Sequence, residues 1–171
     1  PKNAATYVLL SNIYAEAGKW DMVSWVRTMM RERGIRKKKP AVATIEVNME
    51  VHRFLVGERR EDIALKLEST NARLKQEGGH VPHTKLVLKP LSEKEKEDAL
   101  CGHAEKLALA FGLLNTPSGT PLVVTKNLRM CSDCHSSTEI MSRLEQRDIV
   151  VRDGYRVHRF ANGCCSCKGR P

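Results

Sequence analysis

Aromatic residues and long apolar runs are both scarce in this chain of 171 residues. Aromatic side chains make up only 5% of the sequence, which argues against a surface that reads single-stranded nucleic acid broadly by stacking. No apolar run approaches the roughly 20 residues of a membrane-spanning helix, and residues 1–10 lack the pattern of a signal peptide. We therefore expect a soluble chain that is a fragment of a longer protein.

Positive charge and clustered cysteines are what the sequence does contain. The 29 Lys and Arg residues exceed the 20 Asp and Glu residues by nine, which favours a polyanionic partner such as RNA or DNA. The 41% hydrophobic content is enough to build the interior of one medium-sized domain. Four of the six cysteines lie in two short motifs with histidines nearby, so metal ligation explains them better than disulfides do.

The first half of the chain predicts a helical hairpin followed by a β-hairpin and a helix. Apolar residues at helical spacing over 4–33, interrupted by Gly18-Lys19, predict two helices, which need a preceding repeat or the rest of the chain to cover their apolar face. Alternating residues around Asn48-Met49 predict a β-hairpin. Residues 61–76 return to a helical pattern that Gly78-Gly79 ends.

The second half alternates helices and strands. Ser92 and Glu95 form a capping-box pattern, which we expect to open one helix running through Glu105 towards Phe111. A further helix is predicted from Cys131, and strands are predicted at 122–125, 148–151 and 156–160. This alternation predicts an α/β fold with a three-layer core, a central sheet and metal-binding residues near helix N-termini.

The strongest chemical motif combines His103 and Glu105 with Cys131 and Cys134, which begin 26 residues after Glu105. One imidazole and two thiolates hold zinc with a fourth position open, and a carboxylate beside it moves protons. Hydrolytic nucleobase deaminases present these residue types in this order. Because residues two apart on a helix point about 200° apart, His103 and Glu105 reach one metal only if His103 starts the helix.

Other interpretations of these residues explain less. Cys131 and Cys134 followed by His135 match a haem-attachment motif, and the two cysteines alone match a redox motif, but both leave the C-terminal cysteines unexplained. Glu105 and Lys106 could also form a solvated helix face. One departure from the deaminase signature is Met130, which stands where that signature has proline.

A second metal site is predicted near the C-terminus. His135, His158, Cys165 and Cys167 supply four nitrogen and sulfur ligands, enough for a closed tetrahedral zinc site that would staple the C-terminal segment to the core. Cys164 competes with Cys165 for the same role.

Several stretches give the chain a family resemblance. They are YVLLSNIYA at 7–15, IEV at 45–47, VHRF at 51–54, HAEKLALAFG at 103–112, KNLR at 126–129, CSDCH at 131–135 and CSC at 165–167. The chain resembles the C-terminal part of plant pentatricopeptide-repeat RNA editing factors, which ends in a DYW domain. The resemblance implies an E-motif helical hairpin over 1–36, an E+ and PG-box-like β-hairpin and helix over 37–84, and a cytidine-deaminase-like domain over 85–171.

The resemblance also implies a cofactor set and a partner. It implies two zinc ions, one catalytic and one structural, with Glu105 as the proton shuttle. It further implies single-stranded organellar RNA presented by upstream repeats that this chain lacks, editing accessory proteins, no membrane, and a location in a mitochondrion or chloroplast. A non-catalytic module that recruits a separate editing enzyme is the alternative class of function.

Two departures from the family pattern bear on the direction of editing. The usual Pro-Gly box reads Pro40-Ala41 and continues to Thr44 without its glycine and tryptophan, and Gly169-Arg170-Pro171 replaces the terminal Asp-Tyr-Trp. Both resemble the DYW:KP variant, which is associated with uridine-to-cytidine editing. We expect these residues to set the gate and the direction, with hydrolytic cytidine-to-uridine editing as the alternative. No Walker-type loop or other pattern identifies the amine donor, which stays unknown.

Overall fold

The computed structural model describes residues 4–35 and 40–168. The chain forms two compact units, the first made of 1–39 and 85–96 and the second of 40–84 and 97–171. Within the described ranges, no helix combines the length and the apolarity needed to cross a bilayer. The domain boundaries at 36 and 84 remain a prediction.

The first unit is built around the expected helical hairpin. Helices α1 (Ala4–Glu16) and α2 (Trp20–Glu32) pack on each other around Tyr7, Val26 and Met30, which are all buried. Gly18 adopts a positive φ of 69° in the turn between them, a conformation that favours glycine.

The second unit contains a six-stranded mixed sheet in the order β2-β1-β3-β4-β5-β6. Its strands are β1 (Val42–Val47), β2 (Glu50–Leu55), β3 (Leu122–Lys126), β4 (Ile149–Arg152), β5 (Val157–Ala161) and β6 (Cys164–Cys165). The β-hairpin is therefore part of the main sheet, since β1 pairs antiparallel with both β2 and β3. Strands β3 and β4 are parallel, so their C-terminal ends meet at one edge.

Four helices complete the two units. They are α3 (Glu61–Gln76), α4 (Glu93–Cys101), α5 (Ala104–Asn115) and α6 (Ser132–Leu144). Helix α5 packs on β1, β2 and β3, α6 packs on β5 and β6, and α3 packs on both α5 and α6. The α/β class is confirmed, with α5 and α6 covering one face of the sheet while the other face carries alternately exposed side chains.

The expectation of one continuous helix from Ser92 to Phe111 was wrong. The predicted capping box does form, since Glu95 N–H donates to Ser92 Oγ and Ser92 N–H donates to Glu95 Oε2. The helix nevertheless ends at Cys101, and α5 begins at Ala104 after an extended His103 with φ −66° and ψ 138°. Gly102, a poor helix former, lies at this break.

Helix α5 lies close to the sheet because it carries a glycine at the contact. A Cβ atom on Gly112 would lie 2.5 Å from Ile45 Cδ1 and 3.0 Å from a Leu122 methyl carbon. Both partners are buried in the core. The close approach brings the N-terminal turn of α5, and with it Glu105, against the C-terminal end of β3.

Candidate active site and second metal centre

Two helix N-termini present the first set of predicted ligands. His103 is the N-cap of α5, and Cys131 is the N-cap of α6, where its Sγ accepts a hydrogen bond from Cys134 N–H. Amides and the positive dipole end at such positions stabilise anionic thiolates. The helix break at Gly102 also resolves the geometric conflict, because His103 lies outside the helix and is free to face the same point as Glu105.

The donor atoms of this set lie close enough to bind one ion. His103 Nδ1 lies 3.5 Å from Cys131 Sγ and 3.3 Å from Cys134 Sγ, and all four residues offer ligand atoms within 4.8 Å of one another. Tetrahedral zinc with ordinary Zn–N and Zn–S bond lengths requires nitrogen and sulfur ligands about 3.5 Å apart. The residues present therefore fit a zinc ion.

The two cysteines of this set have unequal proton affinities. The pKa of Cys131 is lowered to about 4, chiefly by a hydrogen bond from the Cys134 thiol and to a smaller extent by a hydrogen bond with His103. Burial raises the pKa of Cys134 well above its ordinary value. Without a cation the pair thus retains one proton, which a metal must displace to gain two thiolate ligands.

Glu105 is held by an ion pair that leaves one of its oxygens available. Its side chain is fully buried, Oε1 accepts a hydrogen bond from Lys126 Nζ, and Oε2 has no hydrogen-bond partner among the described residues. Burial acts to raise the pKa of Glu105, but the Lys126 ammonium outweighs burial and holds that pKa below its ordinary value. A buried carboxylate that has one unpaired oxygen and lies in the same group as three metal-binding atoms is suited to accept a proton from a nucleophile.

A second buried ion pair supports the α6 terminus. Lys106 Nζ donates to Asp133 Oδ2 at 2.8 Å, His80 Nε2 lies 3.3 Å from Asp133 Oδ1, and His83 N–H donates to the same oxygen at 2.9 Å. Burial acts to raise the pKa of Asp133, but His80 and Lys106 hold it below its ordinary range. The interpretation of Glu105 and Lys106 as a solvated helix face is wrong, since both side chains are buried.

The second predicted set of ligands also comes together. His135 Nε2 lies 3.1 Å from Cys167 Sγ, His158 Nδ1 lies 3.9 Å from Cys165 Sγ, and the four residues form a candidate metal group. Cys165 belongs to this group, whereas Cys164 is exposed.

Each histidine of the second set turns its other ring nitrogen towards a carboxylate. His158 Nε2 lies 3.5 Å from Asp153 Oδ2, and His135 Nδ1 lies 3.6 Å from Glu139 Oε2. This arrangement is typical of metal-ligating histidines, because the carboxylate orients the ring and raises its basicity. The residues present therefore fit a four-ligand zinc site.

The residues predicted to control direction lie in different places. Asn127 clamps the Pro40 segment: its Nδ2 donates to Pro40 C=O, its Oδ1 accepts from Val42 N–H, and its own N–H donates to Val42 C=O. Ala41 lies between these anchors, whereas Thr44 points to the face of the sheet opposite α5. Gly169, Arg170 and Pro171 lie outside the described residues.

Two family models match the chain. The E-motif model matches residues 1–46, and the model of the DYW family of nucleic acid deaminases matches residues 79–170, which include both candidate metal groups. The chain belongs to the DYW family of nucleic acid deaminases. The predicted E-motif and DYW resemblance is thereby confirmed.

Proteins of Arabidopsis thaliana are similar over nearly the whole chain. The chloroplastic pentatricopeptide repeat-containing protein At3g57430 is 48% identical over 98% of this chain, the chloroplastic protein ELI1 46% over 97%, and the mitochondrial protein At2g03880 47% over 98%. The chain spans between 19% and 27% of these relatives' own length. The names place the first two of these relatives in the chloroplast and the third in the mitochondrion.

Sequence reasoning missed the charged residues that surround the candidate ligands in this DYW domain. Lys126, Asp133 and His80 are all buried, yet none was assigned a role. One signal was present: Lys126 occupies the inward phase of β3 after Leu122 and Val124, where an apolar residue is expected. A lysine at such a position needs a buried anion, and Glu105 is that anion.

Proposed function

We propose that this DYW domain converts a pyrimidine base in organellar RNA at its C4 atom, and that uridine-to-cytidine editing is its main direction. The observation that carries the proposal is the fully buried Glu105, which has one oxygen unpaired among the described residues and a carboxylate oxygen within 4.8 Å of donor atoms of His103, Cys131 and Cys134. These three residues would hold a catalytic zinc ion. When bound, zinc supplies the Lewis acid that activates a water or ammonia nucleophile at neutral pH.

Glu105 moves the protons of the reaction. In deamination, Glu105 takes a proton from water as the water oxygen bonds to C4 of cytidine, passes it to the base, and ammonia leaves as the C4–N bond breaks. In amination, the ammonia nitrogen bonds to C4 of uridine, Glu105 carries one proton from that nitrogen and the proton of N3–H to the C4 oxygen, and water leaves as the C4–O bond breaks. Microscopic reversibility allows the same carboxylate to serve both directions. Lys126 holds one carboxylate oxygen throughout, so that the other keeps its position.

The second set of residues would hold a structural zinc ion. His135, His158, Cys165 and Cys167 leave no ligand position for water, so this ion would contribute to folding rather than to chemistry. Its four residues come from α6, β5 and the segment from β6 onwards. The ion would thus fix the C-terminal segment to the core.

The Pro40-Ala41 segment is linked to Glu105 by a short path. Asn127 holds the backbone on both sides of Ala41, and the preceding residue, Lys126, contacts Glu105. A shift of the segment would therefore move Asn127 and, with it, the neighbouring Lys126 at the end of β3. This path supports the proposal that Pro40 and Ala41 influence direction, together with the Gly169-Arg170-Pro171 tail. The amine donor for the uridine-to-cytidine direction is unknown.

The test is an editing assay with the chain fused to repeats of known RNA target. Both products are scored on matched transcripts carrying cytidine or uridine at the target position. Uridine-to-cytidine product in excess supports the proposal, while exclusive cytidine-to-uridine product assigns the hydrolytic alternative. Absence of both products, with two zinc ions bound per chain, assigns a recruitment module. A variant with Asp-Tyr-Trp at residues 169–171 should shift the product ratio; an unchanged ratio removes the tail from the direction mechanism.

A further inference from the structure

The outer face of the sheet, on the side away from α5 and α6, carries an ordered row of side chains. Strand register places Arg53 beside Thr44, Thr44 beside Thr125, and Thr125 beside Arg152. Paired residues in a sheet point to the same face, so these four side chains form one line across β2, β1, β3 and β4. We call them the arginine row. Arg159 lies on the same face, paired with Val150.

The charges of this face are unpaired and mostly of one sign. Arg53, Arg152 and Arg159 are exposed, and none makes an ion pair with any residue in the described part of the chain. Glu46 is the one acidic residue among the strand positions on this face of the described sheet. Three unpaired guanidinium groups against one carboxylate complement a polyanion.

A groove of mixed polarity lies beside the arginine row. It has a volume of about 490 Å³, and its lining combines the apolar side chains of Met49, Val51, Pro121 and Val123 with the polar ones of Thr44, Glu46, Asn48 and Thr125. Met49 and Val51 are 93% and 70% exposed, although water-facing strand and turn positions usually carry polar residues. A surface that places guanidinium groups beside a groove with the exposed apolar side chains of Met49 and Val51 offers contacts to both the phosphates and the bases of a single strand of nucleic acid.

The arginine row crosses β3 and β4 near their C-terminal ends, and the candidate active site lies at the same end of these strands. Strands β3 and β4 are parallel, and Thr125 and Arg152 pair at their C-terminal ends. Lys126, the residue after Thr125, points to the other face and contacts Glu105. An RNA strand that follows the arginine row therefore passes Thr125, which is one residue away from Lys126 at the rim of the site. Arg53 and Arg152 are three strand spacings apart, about 14 Å, which spans a few nucleotides.

We infer that the outer sheet face, through Arg53, Arg152 and Arg159, binds the sugar-phosphate backbone of the RNA next to the base that enters the active site. The inference rests on the proposed function, because it takes single-stranded RNA as the substrate. It gives Thr44 a place in the RNA path rather than in the gate over the zinc.

The test compares two triple variants of the zinc-loaded chain that lose equal charge. One carries Arg53→Gln, Arg152→Gln and Arg159→Gln, and the control carries Lys19→Gln, Arg59→Gln and Lys89→Gln, which are exposed cations outside this face. Affinity for a fluorescent 20-nucleotide oligouridine is measured by anisotropy over a series of salt concentrations. We expect the sheet variant to bind at least 10-fold more weakly, with a salt slope smaller by about 2, since each contact to a single strand contributes about 0.7. The control should change by less than about twofold. Equal losses in both variants would overturn the inference.

A second measurement needs no substitution. Oligonucleotides containing 4-thiouridine are cross-linked to the unmodified chain, and the linked peptides are mapped. Peptides from β2, β3, β4 or β5 support the inference, and cross-links confined to the first unit overturn it. Oligoglutamate as competitor provides the remaining arm: if it binds at the three arginines while oligouridine does not, the face belongs to an acidic protein partner and the inference fails.

Failure of this inference differs from failure of the proposed function. Glu105→Gln should abolish base conversion and leave oligouridine affinity unchanged, because Glu105 lies on the other side of the sheet. Retained conversion by Glu105→Gln would refute the proposed function without altering the binding result. Unchanged binding by the sheet variant would refute the RNA path while leaving the chemistry at Glu105 intact.

Discussion

The two candidate metal groups use the same ligand types and share helix α6, yet they are suited to different tasks. Cys134 belongs to the first group and His135 to the second, because neighbouring helix residues point about 100° apart. The first group has three nitrogen and sulfur ligands and a carboxylate with a free oxygen, whereas the second has four such ligands. In the second group the carboxylates of Glu139 and Asp153 face the ring nitrogens of His135 and His158 that point away from the cysteines, and they orient these rings. The position of the carboxylate therefore separates the proposed site of proton transfer from the proposed structural site.

Replacing the carboxylate of the first group should have the largest effect. Glu105→Gln keeps the size of the side chain but removes its capacity to accept a proton, so conversion in either direction should fall by about 10³-fold. Both zinc ions should remain bound. Product formation by RNA sequencing and zinc content by metal analysis check this.

Glu139→Gln is the matched control for the second group. Glu139 faces the outer nitrogen of His135, so its loss should leave base conversion within about twofold of the unmodified chain. If Glu139→Gln abolished conversion as Glu105→Gln does, the distinction between the two carboxylates would be lost.

Loss of the lysine that orients Glu105 should have the next largest effect. Lys126→Met should lower kcat by about 10²-fold with KM within about twofold, because misplacement of a catalytic group is costly while the proposed RNA-binding surface is unchanged. Lys126→Arg should recover part of the loss. Steady-state kinetics on a short RNA separate the two constants.

The ion pair also predicts a coupling that does not depend on turnover. In metal-free protein, Lys126→Met leaves Glu105 buried without its partner and should cost about 3 kcal/mol in the free energy of unfolding. Adding Glu105→Gln should remove most of that cost, as measured by urea unfolding. Strictly additive effects would show that the two side chains do not act as a pair.

In the second group the expected effect is on stability. Cys165→Ser should release one zinc ion per chain and lower the melting temperature by about 10 °C or more, since a structural zinc ion contributes several kcal/mol to folding. Cys164→Ser is the control, because Cys164 is exposed next to the group, and it should change neither quantity. Zinc loss from Cys164→Ser instead would exchange the two assignments.

The smallest effect is expected at the clamp on the Pro40 segment. Asn127→Ser removes two side-chain hydrogen bonds to that segment, worth about 2 kcal/mol together. The ratio of uridine-to-cytidine to cytidine-to-uridine product should change. Asn115→Ser, which removes one hydrogen bond within α5, should leave the ratio unchanged. Equal product ratios in both variants would show that the Pro40 segment does not influence the direction of editing through Glu105.

Local patterns predicted most of the elements and both ligand sets. The helical hairpin, the turn at Asn48-Met49 and helix α3 were predicted because each depends on the spacing of residues within one short segment. The break at Gly102 was not predicted, because the capping box at Ser92 marks only where a helix starts, and a single glycine does not by itself fix where a helix ends. Strand β6 was also missed, since two residues are too few to show periodicity.

By itself, the sequence determined which atoms are available for chemistry. Histidine, cysteine and glutamate in a fixed order specify the possible metal ligands and the proton carrier, because those properties belong to the residues themselves. Tertiary structure decided their environment. Contacts between distant elements buried Glu105 against Lys126 and placed Asp153 beside His158. They also placed Cys165, and not the exposed Cys164, in the second candidate metal group, and they put Thr44 on the outer sheet face. Burial and pairing depend on which segments meet in space, and local spacing does not encode that.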